Sequence, residues 1–283
     1  MANDVKYVAV GDTRLAYREL GAGPPIVALH GFPDTYRTWD AMSGALSDDG
    51  YRVITVAMRG YAPGDVPSSE DYSLHRLARD VTELLDRLDI DRAVILGHDW
   101  GASTAYALAA IAPERIESLI ALAIPPLSVF RSGWRERWAR PHNIYLRYGR
   151  ISNWWLRRNN FAEVRRLYNL WSPNWDVPDN HIETVIAALT PPERSRAAVD
   201  YYRVRERDAD AGRIIAPITA PALMIYGADE PDVRQECFAR ATSVTGPGSR
   251  TVRLDGVGHW PHLEAPDLCL TEVRSFLRAT GMR

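Results

Sequence analysis

Ala93-Val94-Ile95-Leu96-Gly97-His98-Asp99-Trp100-Gly101 is followed by a run of small and apolar residues, Ala102 to Ile111. Four strand-forming residues end at a turn bracketed by glycines, and a helical segment starts directly after it. Glycine on each side permits a sharp backbone turn, which lifts one side chain, Asp99, above the end of the strand. A strand leading straight into a helix belongs to a sheet with crossover helices, and the rest of the chain repeats that pattern. Val5 to Val10 and Arg14 to Leu20, separated by Gly11-Asp12, read as a leading hairpin. Ile26 to Leu29, Val53 to Val56, Val94 to Leu96, Leu119 to Ala123, Leu223 to Tyr226 and Thr251 to Leu254 read as further strands. Leu77, Val81, Leu84, Leu85 and Leu88 recur at helical spacing after Ser73, a capping residue, which predicts an amphipathic helix over Leu74 to Leu88. A last helix is predicted from Ala265 through Leu277. The fold class is therefore α/β, with a mostly parallel eight-stranded sheet and helices on both faces.

The alternation stops between Pro125 and about Pro217, where six of the nine tryptophans fall, at positions 134, 138, 154, 155, 171 and 175. This Trp- and Arg-rich stretch reads as a helical insertion after the sixth strand, able to fold over the open end of the sheet as a lid. The expected division is 1–125 for the first part of the core, 126–217 for the lid and 218–283 for the second part. Within the insertion, Arg131 to Arg166 contains ten Arg against Glu136 and Glu163, a local +8 in a chain whose net charge is −2. Lys6 is the sole lysine, so arginine supplies nearly all positive charge; no nucleic-acid motif accompanies the basic stretch.

Composition excludes several classes. With 46% hydrophobic and 25% charged residues over 283 positions, the chain has the make-up of an ordinary globular protein. The charge-free apolar run Leu119 to Phe130 has 12 residues and two prolines, below the roughly 18 needed for a membrane span. The first residues lack the basic start and apolar stretch of a secretory signal, which predicts a cytoplasmic protein. Cys237 and Cys269 have no metal-type spacing and are expected to be reduced thiols.

Three further segments bear on chemistry. His30-Gly31-Phe32-Pro33 follows an early strand and suits an oxyanion-binding loop, in which the Phe32 amide is one donor and the amide of Trp100, after Asp99, the other. Thr251 to Leu254 leads into Asp255-Gly256-Val257-Gly258-His259, placing an imidazole at the same sheet edge; His259 is the candidate base. His30, His98, His142 and His262 are read as structural. After Leu223 to Tyr226, the turn Gly227-Ala228-Asp229-Glu230-Pro231-Asp232 offers three carboxylates, one of which could orient His259. At position 99 a carboxylate is already anionic at neutral pH and can attack carbon without prior deprotonation, which disfavours a serine-type mechanism.

Taken together, the chain resembles an α/β-hydrolase of the epoxide hydrolase type, related to haloalkane dehalogenases. Gly97-His98-Asp99-Trp100-Gly101 and His30-Gly31-Phe32-Pro33-Asp34 are the most specific motifs, and the likeness runs through nearly the whole chain. Met58-Arg59-Gly60-Tyr61 is also similar to a family motif, although Ala57 stands where Asp is usual. The resemblance implies Asp99 as nucleophile, His259 as base, and Glu230 as acid by its spacing from Gly227, with Asp229 second. It further implies two lid tyrosines that stabilise the departing epoxide oxygen. Tyr145 and Tyr202 are the expected pair, with Tyr148 and Tyr201 as substitutes. Trp171-Ser172-Pro173-Asn174-Trp175 resembles a lid segment that would pack or wall the pocket.

The implied reaction opens an epoxide to a vicinal diol through an ester on Asp99, with water as co-substrate and no metal or organic cofactor. No nucleic-acid or membrane partner is expected, and a homodimer is compatible with the sequence. A haloalkane or haloacid dehalogenase using the same Asp and His is the nearest alternative. Phe32 stands where haloalkane dehalogenases commonly carry Asn, and Trp100 where haloacetate dehalogenases commonly carry Arg. A non-catalytic protein gripping an anionic ligand or partner through the Arg-rich lid is the other; it leaves the nucleophile, base and acid together without a purpose.

Overall fold

The computed structural model of the protein describes residues 4–130, 133–204 and 214–281. Positions 131–132 and 205–213 of the expected insertion lie outside the described residues. Eight strands make one sheet: β1 (Lys6–Val10), β2 (Thr13–Leu20), β3 (Pro25–Leu29), β4 (Arg52–Ala57), β5 (Ala93–His98), β6 (Ile116–Leu122), β7 (Ala222–Gly227) and β8 (Arg250–Leu254), in the order β1-β2-β4-β3-β5-β6-β7-β8. Only the β1–β2 and β2–β4 pairs are antiparallel; the pairs β4–β3, β3–β5, β5–β6, β6–β7 and β7–β8 are parallel. The leading hairpin closes with Val10 opposite Thr13 around Gly11-Asp12.

Central β5 shows why the sheet must be covered twice. Val94 and Leu96 point into one apolar cluster and Ala93 and Ile95 into the other, the period of two that a strand imposes. Helices α2 (Leu74–Arg87) and α3 (Trp100–Ile111) contribute to the Ala93 and Ile95 face through Leu77, Leu84 and Ala105. On the other face lie α1 (Asp40–Asp48) and α11 (Pro266–Ala279), through Leu46 and Phe276. The predicted helix after Ser73 forms with that residue as its cap, the Ser73 side chain accepting from the Arg76 amide at 3.1 Å.

Between β6 and β7 the chain leaves the sheet and forms α4 (Trp134–Ala139), α5 (His142–Tyr145), α6 (Arg150–Trp171), α7 (Asp179–Leu189) and α8 (Pro192–Val204). This is the helical insertion expected after the sixth strand. Its α6 is interrupted over residues 158–161, where Asn159, Asn160 and Phe161 take positive φ. Much of the insertion's positive charge is absorbed locally. Arg157 donates to the Leu189 and Thr190 carbonyls at the end of α7, Arg165 pairs with Asp179, Arg166 with Glu163, and Arg135 with Glu236. After β7 come α9 (Asp232–Phe238) and, past β8, α10 (Pro261–Glu264). Among the described residues no helix is long and apolar enough to cross a membrane. Cys237 and Cys269 are buried as thiols.

Candidate active site

Asp99 caps β5 with φ 51° and ψ −113°, a conformation costly for a residue with a Cβ and typical of strained functional turns. The turn is also crowded. A Cβ on Gly97 would lie 2.5 Å from the Gly101 backbone, and one on Gly31 would lie 2.3 Å from the Asp99 Cβ, so these positions admit only glycine. The close approach of the His30-Gly31-Phe32 loop lets the Phe32 amide donate to Asp99 Oδ1 at 3.0 Å. Trp100 supplies the first amide of α3, at the positive end of the helix dipole.

The other carboxylate oxygen, Oδ2, lies 3.5 Å from His259 Nε2, and the opposite ring nitrogen of His259 is 2.5 Å from Glu230 Oε1. Asp99, His259 and Glu230 are all buried. Of the candidate acids, Glu230 therefore touches the imidazole, whereas Asp229 accepts from Asn174 at 2.7 Å on the lid. Behind Glu230, Arg234 approaches its carboxylate at 3.7 Å and donates to the Ala123 carbonyl, which ties the acid turn to the end of β6.

The charges support one another. Burial by itself would raise the Asp99 pKa, but the hydrogen bond and charge of His259, with the Phe32 amide, hold it well below the usual carboxylate range. Burial would likewise lower His259; Glu230 and Asp99 outweigh it and push the imidazole up to about 9. His98 is driven down to about 4 by burial and by the neighbouring His259, and its Nε2–H donates to the His259 carbonyl.

The lid closes on this loop. The His259 amide donates to the Trp171 carbonyl at 3.1 Å and to Ser172 Oγ at 2.9 Å, and Ser172 donates to Glu264 at 2.6 Å. Under the lid, a cavity of at most about 310 Å³ is lined by Asp99, Trp100, Phe130, Arg140, His142 and Tyr202, among others. A second one, lined by Arg140, Trp171, Glu230 and His259, opens on the imidazole side.

The tyrosines divide. Tyr202 lines the cavity beside Asp99, packed edge-on against Phe32 and Trp100, and its hydroxyl accepts from the Trp100 side chain. Tyr145 does not line that cavity; its hydroxyl donates to Glu163 at 2.5 Å and accepts from Arg166 at 2.7 Å. Tyr148 is exposed, and the buried Tyr201 donates to the Arg59 carbonyl at 2.7 Å. Among the described residues, no group of three or more His, Cys, Asp or Glu is arranged to hold a metal ion.

The model of the alpha/beta hydrolase fold family matches residues 24–266. The chain belongs to the α/β-hydrolase family. Epoxide hydrolase A of Mycobacterium tuberculosis is 29% identical to it over 98% of each chain. An epoxide hydrolase of Caballeronia sordidicola is 28% identical over 96% of this chain and 92% of its own. Among solved structures, epoxide hydrolase A from Mycobacterium thermoresistibile superposes with a TM-score of 0.79 at 27% identity, covering 97% of this chain and 98% of its own.

Sequence reading missed several cavity residues of this α/β-hydrolase, His142 and Arg140 among them. His142, read as structural, is buried next to Trp171 and Tyr202, and its Nδ1 has no hydrogen-bond partner among the described residues. Burial and the charge of Arg140 hold it well below the ordinary imidazole pKa, so it is neutral. Its position just after Arg140-Pro141 at the head of α5 was the available signal, since proline fixes how that short helix enters the lid.

The raised pKa of His259 carries a stability prediction for the α/β-hydrolase. A group that binds its proton more tightly when folded stabilises the fold fully below its unfolded pKa, near 6.5, and loses that contribution as pH rises through about 9. Melting temperature should therefore fall across that window, by an amount equivalent to on the order of 1–3 kcal/mol. His259→Gln should flatten this part of the profile; a variant profile parallel to the wild type would contradict the assignment.

Proposed function

We propose that the protein hydrolyses epoxides to vicinal diols through a covalent ester on Asp99. The observation that carries this reading is a buried, ionised carboxylate with one oxygen bound to the Phe32 amide and the other facing an imidazole that Glu230 clamps. Full-length likeness to proteins named epoxide hydrolases supports it.

The geometry divides the labour between the carboxylate oxygens. Oδ2 attacks a ring carbon from the side opposite the C–O bond; the ring opens, and the departing oxygen takes up one proton, balanced by the one that the His259 imidazolium gives up as the Asp99 charge is lost. Oδ1, already at the Phe32 amide, becomes the ester carbonyl. Water then adds to the Asp99 carbonyl carbon while His259 Nε2 accepts its proton. Phe32 and Trp100 amides hold the resulting oxyanion, and collapse releases the diol and restores the carboxylate. Loss of the Asp99 charge on alkylation removes one of the two supports of the imidazolium, so the imidazole becomes a base when a base is needed. Residues 126–217 act as the lid that keeps bulk water from this sequence.

Tyr202 is the proposed first donor to the ring oxygen. Tyr145, the expected second, must exchange Glu163 for substrate to act there, whereas His142 already stands beside Tyr202 in the cavity. We expect Tyr202→Phe to slow ester formation about 100-fold, and His142→Phe to slow it more than Tyr145→Phe in single-turnover experiments. The reverse order of the last two would assign Tyr145 to the ring oxygen.

Turnover on aryl and alkyl epoxides beside haloalkanes tests the whole reading. Diol formation is expected; halide release with no diol would transfer the same residues to dehalogenation.

A further inference from the structure

Arg140 stands apart from the other arginines of the insertion. It lies between α4 and α5, is 8% exposed, and forms no ion pair among the described residues. It lines both the cavity that holds Asp99 and the one on the His259 side. In the first of these it shares the wall with His142 and Tyr202. Holding a cation in a buried cavity without a counter-charge is costly, and a site that retains one is suited to a ligand that brings the missing anion. The nearest fixed carboxylates give no alternative. Asp99 is engaged by Phe32 and His259, Glu230 by His259 and Arg234, and Asp229 by Asn174.

Accepting the epoxide reading above, we propose that the substrate carries a carboxylate, and that Arg140 binds it. Asp99 and Arg140 line the same cavity, so the reacting carbon and the carboxylate can be held together there, and a short 2,3-epoxy acid is the smallest molecule that carries both groups. Arg140 is then a specificity residue. It offsets the repulsion between the substrate carboxylate and Asp99, two anions brought together in a poorly screened chamber. It also offers the planar pair of N–H donors that a carboxylate accepts.

The test compares glycidate with its neutral counterpart glycidamide. Wild-type kcat/KM should favour glycidate by at least about tenfold, and Arg140→Gln should lower the glycidate-to-glycidamide ratio about thirtyfold. Arg140→Lys, which keeps the charge, should restore most of the ratio. An arginine that merely stabilised the opening ring would alter both substrates alike; a ratio within about threefold of wild type in Arg140→Gln would overturn the proposal. Should that variant not fold, absence of a wild-type preference for glycidate overturns it equally.

Binding of glycerate, the diol acid that glycidate would yield, separates this claim from the catalytic one. If calorimetry shows glycerate bound by wild type and about thirtyfold weaker in Arg140→Gln while neither epoxide is turned over, the epoxide reading fails and the anion site stands. If both epoxides are turned over without preference and glycerate does not bind, the anion site fails alone.

Discussion

His259→Gln mixed with styrene oxide is expected to stop after the first half-reaction, with the mass of one substrate molecule added to the peptide that contains Asp99. The asymmetry between the two steps is the reason. Attack by the Asp99 carboxylate needs no proton removed, because the group is ionised well below neutral pH. Attack by water on the ester does need a base, and on the proposed mechanism that base is the imidazole 3.5 Å from Asp99 Oδ2, which a buried carboxylate clamps. Glutamine approximates the imidazole's size but accepts no proton, so ester release should slow by roughly 10⁴-fold or more. Asp99→Asn should give neither adduct nor turnover. A His259→Gln enzyme that still turns over at above about one hundredth of the wild-type rate, or an adduct on another residue, would sink the covalent mechanism.

The second large effect concerns stability. Arg59→Met should destabilise the protein by about 3–5 kcal/mol, lowering its melting temperature by roughly 10 °C or more. Arg59 is fully buried and donates to both oxygens of Asp80 at 3.3 Å, to Ser69 at 3.1 Å and to Asp12. Burial has already raised the Asp80 pKa to about 6 against the pull of Arg59 and Arg76, so removing a cation leaves a poorly compensated carboxylate inside the protein. Arg59→Met combined with Asp80→Leu should recover much of the loss, because the stranded charge leaves with its partner. A single-variant loss below about 1 kcal/mol would show the cluster to be adequately solvated or paired without Arg59. The same turn also supports the lid: the Arg59 carbonyl accepts from Tyr201 on α8, and the Tyr61 ring packs at 4.6 Å on His30.

Those elements were readable from sequence to different depths. The turn at Asp99 was legible because its requirements are local: a strand, flanking glycines and a small-residue helix suffice to specify it. The choice of Glu230 over Asp229 followed from the resemblance and its spacing after Gly227, and the structure puts the two adjacent side chains on opposite tasks. The cavity walls were not legible. Which side chain of Tyr145, His142 and Arg140 faces Asp99 depends on how short helices α4 and α5 lie against α6, and no periodicity encodes that. Tyr145 is drawn to Glu163 and Arg166, partners on α6 that only tertiary packing brings near. The break in α6 had a hint in Asn159-Asn160, since asparagine tolerates left-handed backbone better than most residues, but the hint is too common to locate a kink. Ala57, which departs from the family pattern, is buried within β4 opposite Ala16 and plays a packing part.

Because Trp171 and Ser172 fasten the roof to the backbone amide of His259, lifting that roof as one body would drag the imidazole out of register with the carboxylate it serves. On the proposed mechanism, loosening that fastening would widen access only by blunting the second half of the reaction.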